Sequence, residues 1–181
     1  MPITPDDKDW TWVLERTCPE CGFTASAVDA TDVARLIREN AGAWRPLLDG
    51  HQRLTDRPSE DRWSALEYAC HVRDVYRLYD ERLTLMRTLD APTFPNWDQD
   101  VTAVEDRYNT QDPIVVVTDL EAAARQLADN FDAVTGDAWQ RTGLRSDGAH
   151  FTIESFARYL IHDPVHHLDD VERGFAALDC P

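Results

Sequence analysis

The chain has 181 residues, of which 43% are hydrophobic and 29% charged, the balance of an ordinary globular protein. Thirty-four Asp and Glu residues against eighteen Lys and Arg residues give a formal net charge of −16. That charge repels phosphate backbones and anionic lipid, and no basic stripe offsets it locally. Neither nucleic acid nor a membrane surface is therefore an expected partner.

The N-terminal sequence does not look like a targeting segment. Residues 1–12 contain three aspartates and no apolar stretch behind a basic start, unlike a secretory signal. No apolar run approaches the roughly 20 residues that span a bilayer. Four cysteines in a chain of this length do not form a disulfide framework, so we expect a reduced, cytoplasmic protein.

Residues 1–29 lack helical periodicity, and we interpret them as an extension that lies on a body formed by residues 30–181. The extension contains a knuckle-like string, Cys18-Pro-Glu-Cys21-Gly22, which looks like half of a zinc ribbon. A structural zinc ion needs four ligands, and the sequence has no second CxxC. Three interpretations stay open: a mixed site completed by a distant Cys, His or Asp, a redox pair or local disulfide, and a packed turn with reduced thiols.

The first two segments with helical spacing follow this extension. The first runs from Thr31, a plausible N-cap, to about Leu48. The second starts at a capping box over residues 64–67 and continues to about Leu89, where Pro92 follows.

Two further helices are predicted in the second half of the chain. The third opens either at Asp112 or at a second capping box over residues 118–121, and it ends near Gly136. The fourth runs from about Thr152 to about Leu178. The connections at 91–110 and 135–150 are rich in Pro, Gly, Asp and Asn; short extended pieces could lie there, but nothing in them alternates long enough for a sheet.

Four long helices with one long connection predict an all-α fold, a four-helix bundle with a non-meander connection. A larger irregular all-α domain is the alternative. The fold class matters for function because bundle cores commonly build metal sites from side chains on facing helices.

His71 lies on the side of the second helix that is predicted to face the core, in line with Val75 and Leu78. A core-facing imidazole needs partners for its ring nitrogens. The plain interpretation is a buried histidine hydrogen-bonded to a backbone carbonyl or to a carboxylate, for which Glu67 and Asp74 are one turn away. The functional interpretation is a metal ligand.

The fourth helix carries a cluster of histidines. A helical wheel places His167 inside the apolar stripe and Asp163 at its edge, with His162 and His166 on roughly the opposite side. Pro164 must distort the helix, and a π-bulge there would instead bring His162 and His167 onto one face. The inward set is therefore His167 with either Asp163 or His162. Histidines on the surface of an acidic helix are the plain alternative.

One imidazole from the second helix and two ligands from the fourth make a three-ligand set with open positions, the pattern of a catalytic metal site. Zinc is the first candidate for the ion, with nickel or iron as alternatives. Cys70 adjoins His71, but neighbours on a helix diverge by about 100°, and a small buried apolar role is expected for it. The candidate metal ligands are His71, Asp163, His167 and His162.

The sequence resembles the DinB/YfiT-like superfamily of four-helix metalloproteins, which includes the mycothiol-dependent maleylpyruvate isomerases. The resemblance covers about residues 30–178. It is carried by the Trp63-Ser-Ala-Leu start of the second helix, by His71-Val-Arg-Asp74 and by the histidine-rich end of the fourth helix.

The resemblance implies His71, Asp163 and His167 as metal ligands, although His162 and His166 fit the same four-residue spacing. It also implies activation of a small thiol, because a metal cation lowers the pKa of a thiol and presents the thiolate to an electrophile.

The hypothesis is a divalent-metal-dependent enzyme that activates a low-molecular-weight thiol for transfer to, or isomerisation of, an electrophilic small molecule. The alternatives are a non-catalytic, stress-associated metal-binding domain and a module that binds a partner through its Trp-rich N-terminus. A small-molecule substrate is the expected partner, and a homodimer is the assembly considered.

Overall fold

Four long helices form a bundle in a computed structural model that describes residues 9–179. A fifth, short helix and a small sheet lie in the connections. The helices are α1 (Val33–Asp49), α2 (Ala65–Thr88), α3 (Gln99–Glu105), α4 (Pro113–Asp132) and α5 (Ile153–Asp179), and the strands are β1 (Thr93–Phe94), β2 (Thr142–Arg145) and β3 (His150–Thr152). The predicted all-α, four-helix class is confirmed. None of the helices in this part of the chain is long and apolar enough to cross a bilayer.

Local capping fixes the starts of α2 and α4. Ser64 Oγ accepts a hydrogen bond from the backbone N–H of Glu67 at 3.2 Å, and the Glu67 carboxylate accepts one from the Ser64 N–H at 2.9 Å, which completes the predicted capping box. For α4, Asp112 accepts from the N–H of Ile114 at 2.8 Å, and Pro113 occupies the first turn. The second predicted capping box, at 118–121, lies inside that helix.

The order of the helices around the bundle differs from their order in the chain. α4 packs against both α1 and α2, and α5 packs against the same two helices, whereas α1 and α2 barely touch. Consecutive helices α1 and α2 therefore lie diagonally opposite each other, which is the predicted non-meander connection. The core between them is filled by large buried side chains, among them Trp44, Tyr76 and Phe131.

The two connections predicted as loops contain regular structure, so that prediction is wrong in part. β1 pairs in parallel with β2, and β2 pairs antiparallel with β3. These strands have two to four residues each, too few for an alternating pattern to be visible in the sequence. They form because the hairpin packs onto the bundle, where Gly143 lies directly against the side chains of Met86 and Phe94.

The segment before α1 lies along α5. It contains short 3₁₀ turns at Trp10–Leu14 and Ala25–Ala27. Val13 and Cys18 in this segment are buried, and Arg158 of α5 donates a hydrogen bond to the Val28 carbonyl at 2.9 Å. The N-terminal segment therefore covers the face of α5 that does not look into the bundle.

Candidate metal centre

Three potential metal ligands converge where α2 meets α5. His71 comes from α2, while Asp163 and His167 are one turn apart on the inward face of α5. His71 Nε2 lies 3.3 Å from Asp163 Oδ1, and His167 Nε2 lies 3.7 Å from Asp163 Oδ2. The ligand atoms of all three residues lie within 4.8 Å of one another. A single cation between them could contact all three.

His71 is fully buried, at 0% exposure, yet its ring nitrogens make no well-aligned hydrogen bond within residues 9–179. Its contact with Asp163 is close but poorly directed. The ring is stacked on Trp97 with centroids 5.3 Å apart, and Trp63 lies 5.2 Å away. Buried polar atoms are almost always paired, so an unsatisfied Nε2 that faces a carboxylate fits a cation bound between the two groups.

The carboxylates expected to orient His71 are engaged elsewhere. Glu67 forms the capping box of α2 and an ion pair with Arg57. Asp74 accepts hydrogen bonds from Arg73 and from the hydroxyl of Tyr108. The plain interpretation, a core histidine satisfied by its neighbours one turn away, therefore does not describe His71.

The protonation states suit metal binding. Burial lowers the pKa of His71 and outweighs the opposing effect of the Asp163 carboxylate. Burial raises the pKa of Asp163, but the charges of His167 and His71 and the close approach of His71 Nε2 outweigh it, so the pKa of that carboxyl is well below its usual range. A neutral imidazole and an ionised carboxylate are the forms that ligate metals.

Asp170 orients His167 from behind. Its Oδ2 lies 3.1 Å from Nδ1 of His167 and 3.4 Å from Nε2 of the neighbouring His166. Its Oδ1 accepts hydrogen bonds from Arg62 and Arg173, each at 2.9 Å. Burial alone would raise the pKa of Asp170, but the hydrogen bond with His167 and the nearby charges lower it to about 2. A carboxylate behind a ligating imidazole fixes its tautomer and ring orientation, as in many metal centres.

The remaining histidines are not part of this group of ligands. His162 and His166 are on another face of α5, buried against the N-terminal segment at 4% and 5% exposure, and they are not surface residues. α5 stays α-helical through Pro164, so no π-bulge turns His162 toward His167. The structure therefore brings His71, Asp163 and His167 together and places His162 outside that group. His51 stacks on Phe175 with ring centroids 3.7 Å apart, and His150 is exposed on β3.

Cys18 and Cys21 lie opposite His162 and His166. Cys18 Sγ is 3.7 Å from His166 Nδ1, and Cys21 Sγ is 3.7 Å from His162 Nε2. The two thiols are not joined in a disulfide. Burial raises the pKa of Cys21 to about 11, and this outweighs the hydrogen bond from the backbone of Phe23, so the thiol is protonated unless a cation is bound. Sequence reasoning left the partners of these cysteines open, although the His-x₃-His spacing was visible.

A cleft of about 1180 Å³ opens onto the centre. Asp163 and His167 line it together with His162 and His166, and its walls come from the N-terminal turn, the residues around 96–100 and the β2–β3 hairpin. The side chains of Arg62, Arg82 and Arg145 also line it.

Arg82 is distinctive among the residues of the cleft. It is 4% exposed, its guanidinium donates to the Pro95 carbonyl at 2.7 Å, and it lies over the rings of Tyr79 and Phe94. Its Nε has no hydrogen-bond partner, and none of the carboxylates in residues 9–179 forms an ion pair with it. Burial lowers the pKa of this guanidinium. An anionic ligand in the cleft would complement it.

Comparisons with known proteins agree with this architecture. The family model for the DinB superfamily matches residues 37–171. A solved structure described as "YfiT from Bacillus subtilis is a probable metal-dependent hydrolase with an unusual four-helix bundle topology" is similar, with a TM-score of 0.71 over 97% of this chain and 94% of that chain. Its sequence identity is 14%, so this similarity shows the fold alone. None of the curated proteins matches.

Proposed function

The chain belongs to the DinB superfamily, and we propose from that premise that it is a metal-dependent enzyme with its ion at His71, Asp163 and His167. Its reaction is the activation of a small thiol for transfer to, or isomerisation of, an electrophilic small molecule. The observation that carries the proposal is the convergence of three ligand atoms, with Asp163 and His167 lining an open cleft and His71 buried beside them. Three protein ligands with a free position are typical of catalytic zinc sites, whereas structural sites are closed by four.

A divalent ion, zinc first and nickel or iron as alternatives, would supply a Lewis acid that lowers the pKa of a thiol or water. The protein residues support this chemistry in separate ways. The unsatisfied nitrogens of His71 are available to the ion. Asp170 holds the ring of His167 so that its Nε2 faces Asp163. Trp97 covers the ring face of His71 and shields it from water.

The cleft supports an extended anionic thiol as the cosubstrate. Arg82 lies about 16 Å from His71 along α2, three turns further on. The two positions belong to one face of that helix, together with Val75 and Tyr79, which also line the cleft. One extended molecule could therefore place a thiol group at the metal and a carboxylate, at its other end, against Arg82. Free thiols in the protein fit a reducing compartment, and we propose the cytoplasm.

The experiment is cobalt substitution followed by titration with a low-molecular-weight thiol that carries carboxylates. We expect new sulfur-to-cobalt charge-transfer absorption as the thiol reaches the open position. His71→Ala and His167→Ala should abolish this change, while His51→Ala and His150→Ala should retain it. Unchanged spectra with several thiols would contradict thiol activation and favour an ion that only joins α2 to α5.

Hydrolysis is the second candidate, because the similar Bacillus subtilis protein is described as a probable metal-dependent hydrolase. Here water would take the place of the thiol at the same ion. The two reactions are separated by incubating the metal-loaded protein with an activated ester, with and without the thiol. Product formation that needs the thiol supports the proposal, and product formation in water alone supports hydrolysis.

A further inference from the structure

A second group of side chains joins the N-terminal segment to α5, at a different face of that helix from Asp163 and His167 but beside the same cleft. We propose that Cys18, Cys21, His162 and His166 form a closed, structural zinc site, separate from the centre at His71. This site needs only protein ligands and does not depend on the proposed reaction.

The distances agree with tetrahedral coordination. With zinc–sulfur bonds of about 2.3 Å and zinc–nitrogen bonds of about 2.0 Å, a tetrahedral angle separates sulfur from nitrogen by about 3.5 Å. Cys18 Sγ and His166 Nδ1 are 3.7 Å apart, as are Cys21 Sγ and His162 Nε2. All four ligand atoms lie within 4.8 Å of one another. One ion can therefore reach the four residues with little movement of the chain.

The ligand number and spacing are those of a structural site. Cys-x₂-Cys followed by His-x₃-His is a known arrangement for four-coordinate zinc. Three of the four residues are buried, and Cys18 has no exposed surface. Two sulfur and two nitrogen ligands fill a tetrahedron, so no position is left for a substrate.

The backbone around the cysteines is already shaped for an ion. The N–H of Cys18 donates to the Phe23 carbonyl at 2.8 Å, and the N–H of Gly22 donates to the Cys18 carbonyl at 2.9 Å. Gly22 has a φ of +72°, which lies in the left-handed region. A residue with a Cβ is strained there, so glycine allows the tight turn that directs both thiols toward α5.

The imidazole of His166 is oriented from its far side. Its Nε2 lies 3.4 Å from Asp170 Oδ2 and 3.8 Å from Glu20 Oε2, while Nδ1 faces Cys18. A carboxylate behind a ligating histidine is the usual support for a metal-bound ring. Asp170 therefore supports one histidine from each of the two groups.

The consequence is a fixed wall for the cleft. Trp10 and Leu14 of the N-terminal segment line the cleft, and the Trp10 ring packs 5.7 Å from His162 and 5.4 Å from His166. An ion at the cysteines would add four coordination bonds to the packing of this segment on α5, which includes Phe23 against His162 and the hydrogen bond from Arg158 to Val28, and would hold the wall in place.

The first experiment measures metal stoichiometry and the cobalt spectrum of the full chain with no thiol added. We expect about two ions per chain, and thiolate-to-cobalt charge-transfer bands that come from protein cysteines alone. Cys18→Ser and Cys21→Ser should lose these bands and one ion. Cys70→Ala is the matched control, because Cys70 is buried in the core and donates to the Tyr108 carbonyl. This variant should keep the thiolate bands and both ions.

His71→Ala separates this proposal from the proposed function. It should remove the cleft ion and the response to added thiol, yet keep the protein's own thiolate bands. If the unmodified cobalt protein shows its own thiolate bands but its spectrum does not change when a thiol is added, only the enzymatic proposal would be overturned. Absence of thiolate bands in the unmodified cobalt protein would overturn the structural site, as would a Cys18–Cys21 disulfide found by non-reducing mass spectrometry.

Limited proteolysis tests the role of the ion. Arg16 is exposed within the N-terminal segment and is a tryptic site. We expect the zinc-loaded protein to resist cleavage at Arg16, and Cys21→Ser or a chelated sample to be cut at least tenfold faster there. Equal cleavage rates with and without the ion would overturn the proposed anchoring of the wall.

Discussion

His166 and His167 are consecutive residues of α5 that face different groups. His166 Nδ1 lies 3.7 Å from Cys18 Sγ, whereas His167 Nε2 lies 3.7 Å from Asp163 Oδ2. The step of about 100° between neighbours on a helix sends one ring to the N-terminal segment and the other into the bundle. Their remaining ring nitrogens both approach Asp170. A single buried carboxylate therefore connects two candidate metal sites.

Asp170→Asn should weaken metal binding at both groups without removing a ligand. An amide carries no charge, and with its oxygen toward the histidines its NH₂ group would face the donors of Arg62 and Arg173, so the histidines are held less firmly. We expect a decrease in metal affinity of about 10- to 100-fold, measured by competition with a chromogenic chelator. Glu154→Gln is the control, because Glu154 pairs with Arg158 in the first turns of the same helix. Equal affinities of the Asp170 variant and the unmodified protein would contradict the supporting role.

Arg82→Met should stabilise the protein while weakening the binding of anions. The guanidinium is buried without a carboxylate partner within the described residues, and its desolvation is only partly offset by the Pro95 carbonyl and the rings of Tyr79 and Phe94. Methionine retains much of the packing and removes the charge. We expect the free energy of unfolding to rise by about 1 kcal/mol in urea titrations. A loss of stability would mean that Arg82 is structural rather than kept for a ligand.

Gly143→Ala should destabilise the hairpin that forms one wall of the cleft. A Cβ at this position would lie 2.8 Å from Met86 Cγ and 2.8 Å from Phe94 Cε1, closer than carbon atoms can pack. We expect a cost of about 1–3 kcal/mol, measured by thermal and urea unfolding. Gly42→Ala is the matched control, since an added Cβ on this exposed position of α1 meets nothing within 4 Å. It should stabilise by about 0.5–1 kcal/mol.

Asp74 should contribute stability that depends on pH. Burial raises the pKa of this carboxyl, but hydrogen bonds from Arg73 and Tyr108 outweigh it and hold the pKa below its usual range. A pKa lower in the folded than in the unfolded state gives stability that is complete above about pH 4 and is lost as the pH falls through the folded value. Asp74→Asn should therefore cost about 2 kcal/mol at neutral pH, and this difference should shrink in acid.

The control for this experiment is Asp119→Asn. Asp119 is an exposed partner of Arg77, and a surface ion pair of this kind contributes at most about 1 kcal/mol. Urea titrations of the three proteins at neutral pH and at about pH 3 measure the difference. If the loss in unfolding free energy caused by Asp74→Asn is the same at both pH values, the lowered pKa of Asp74 would be contradicted.

Local rules located the elements that are stabilised locally. The capping box at Ser64 and the proline at 113 begin α2 and α4 where the sequence predicts. α3 and the three strands were missed, because two to seven residues cannot show a period. The strands depend on contacts such as Gly143 with Met86, which join segments far apart in the chain.

The candidate metal sites were likewise predictable from the sequence only as far as local helix geometry determines them. The sequence by itself determined that α5 carries two pairs of side chains at four-residue spacing on different faces, because the helical repeat fixes angles along one helix. It also indicated that His71 faces inward. Only the tertiary structure decided which pair meets His71 and which meets Cys18 and Cys21, since that depends on how the N-terminal segment and α2 pack against opposite sides of α5.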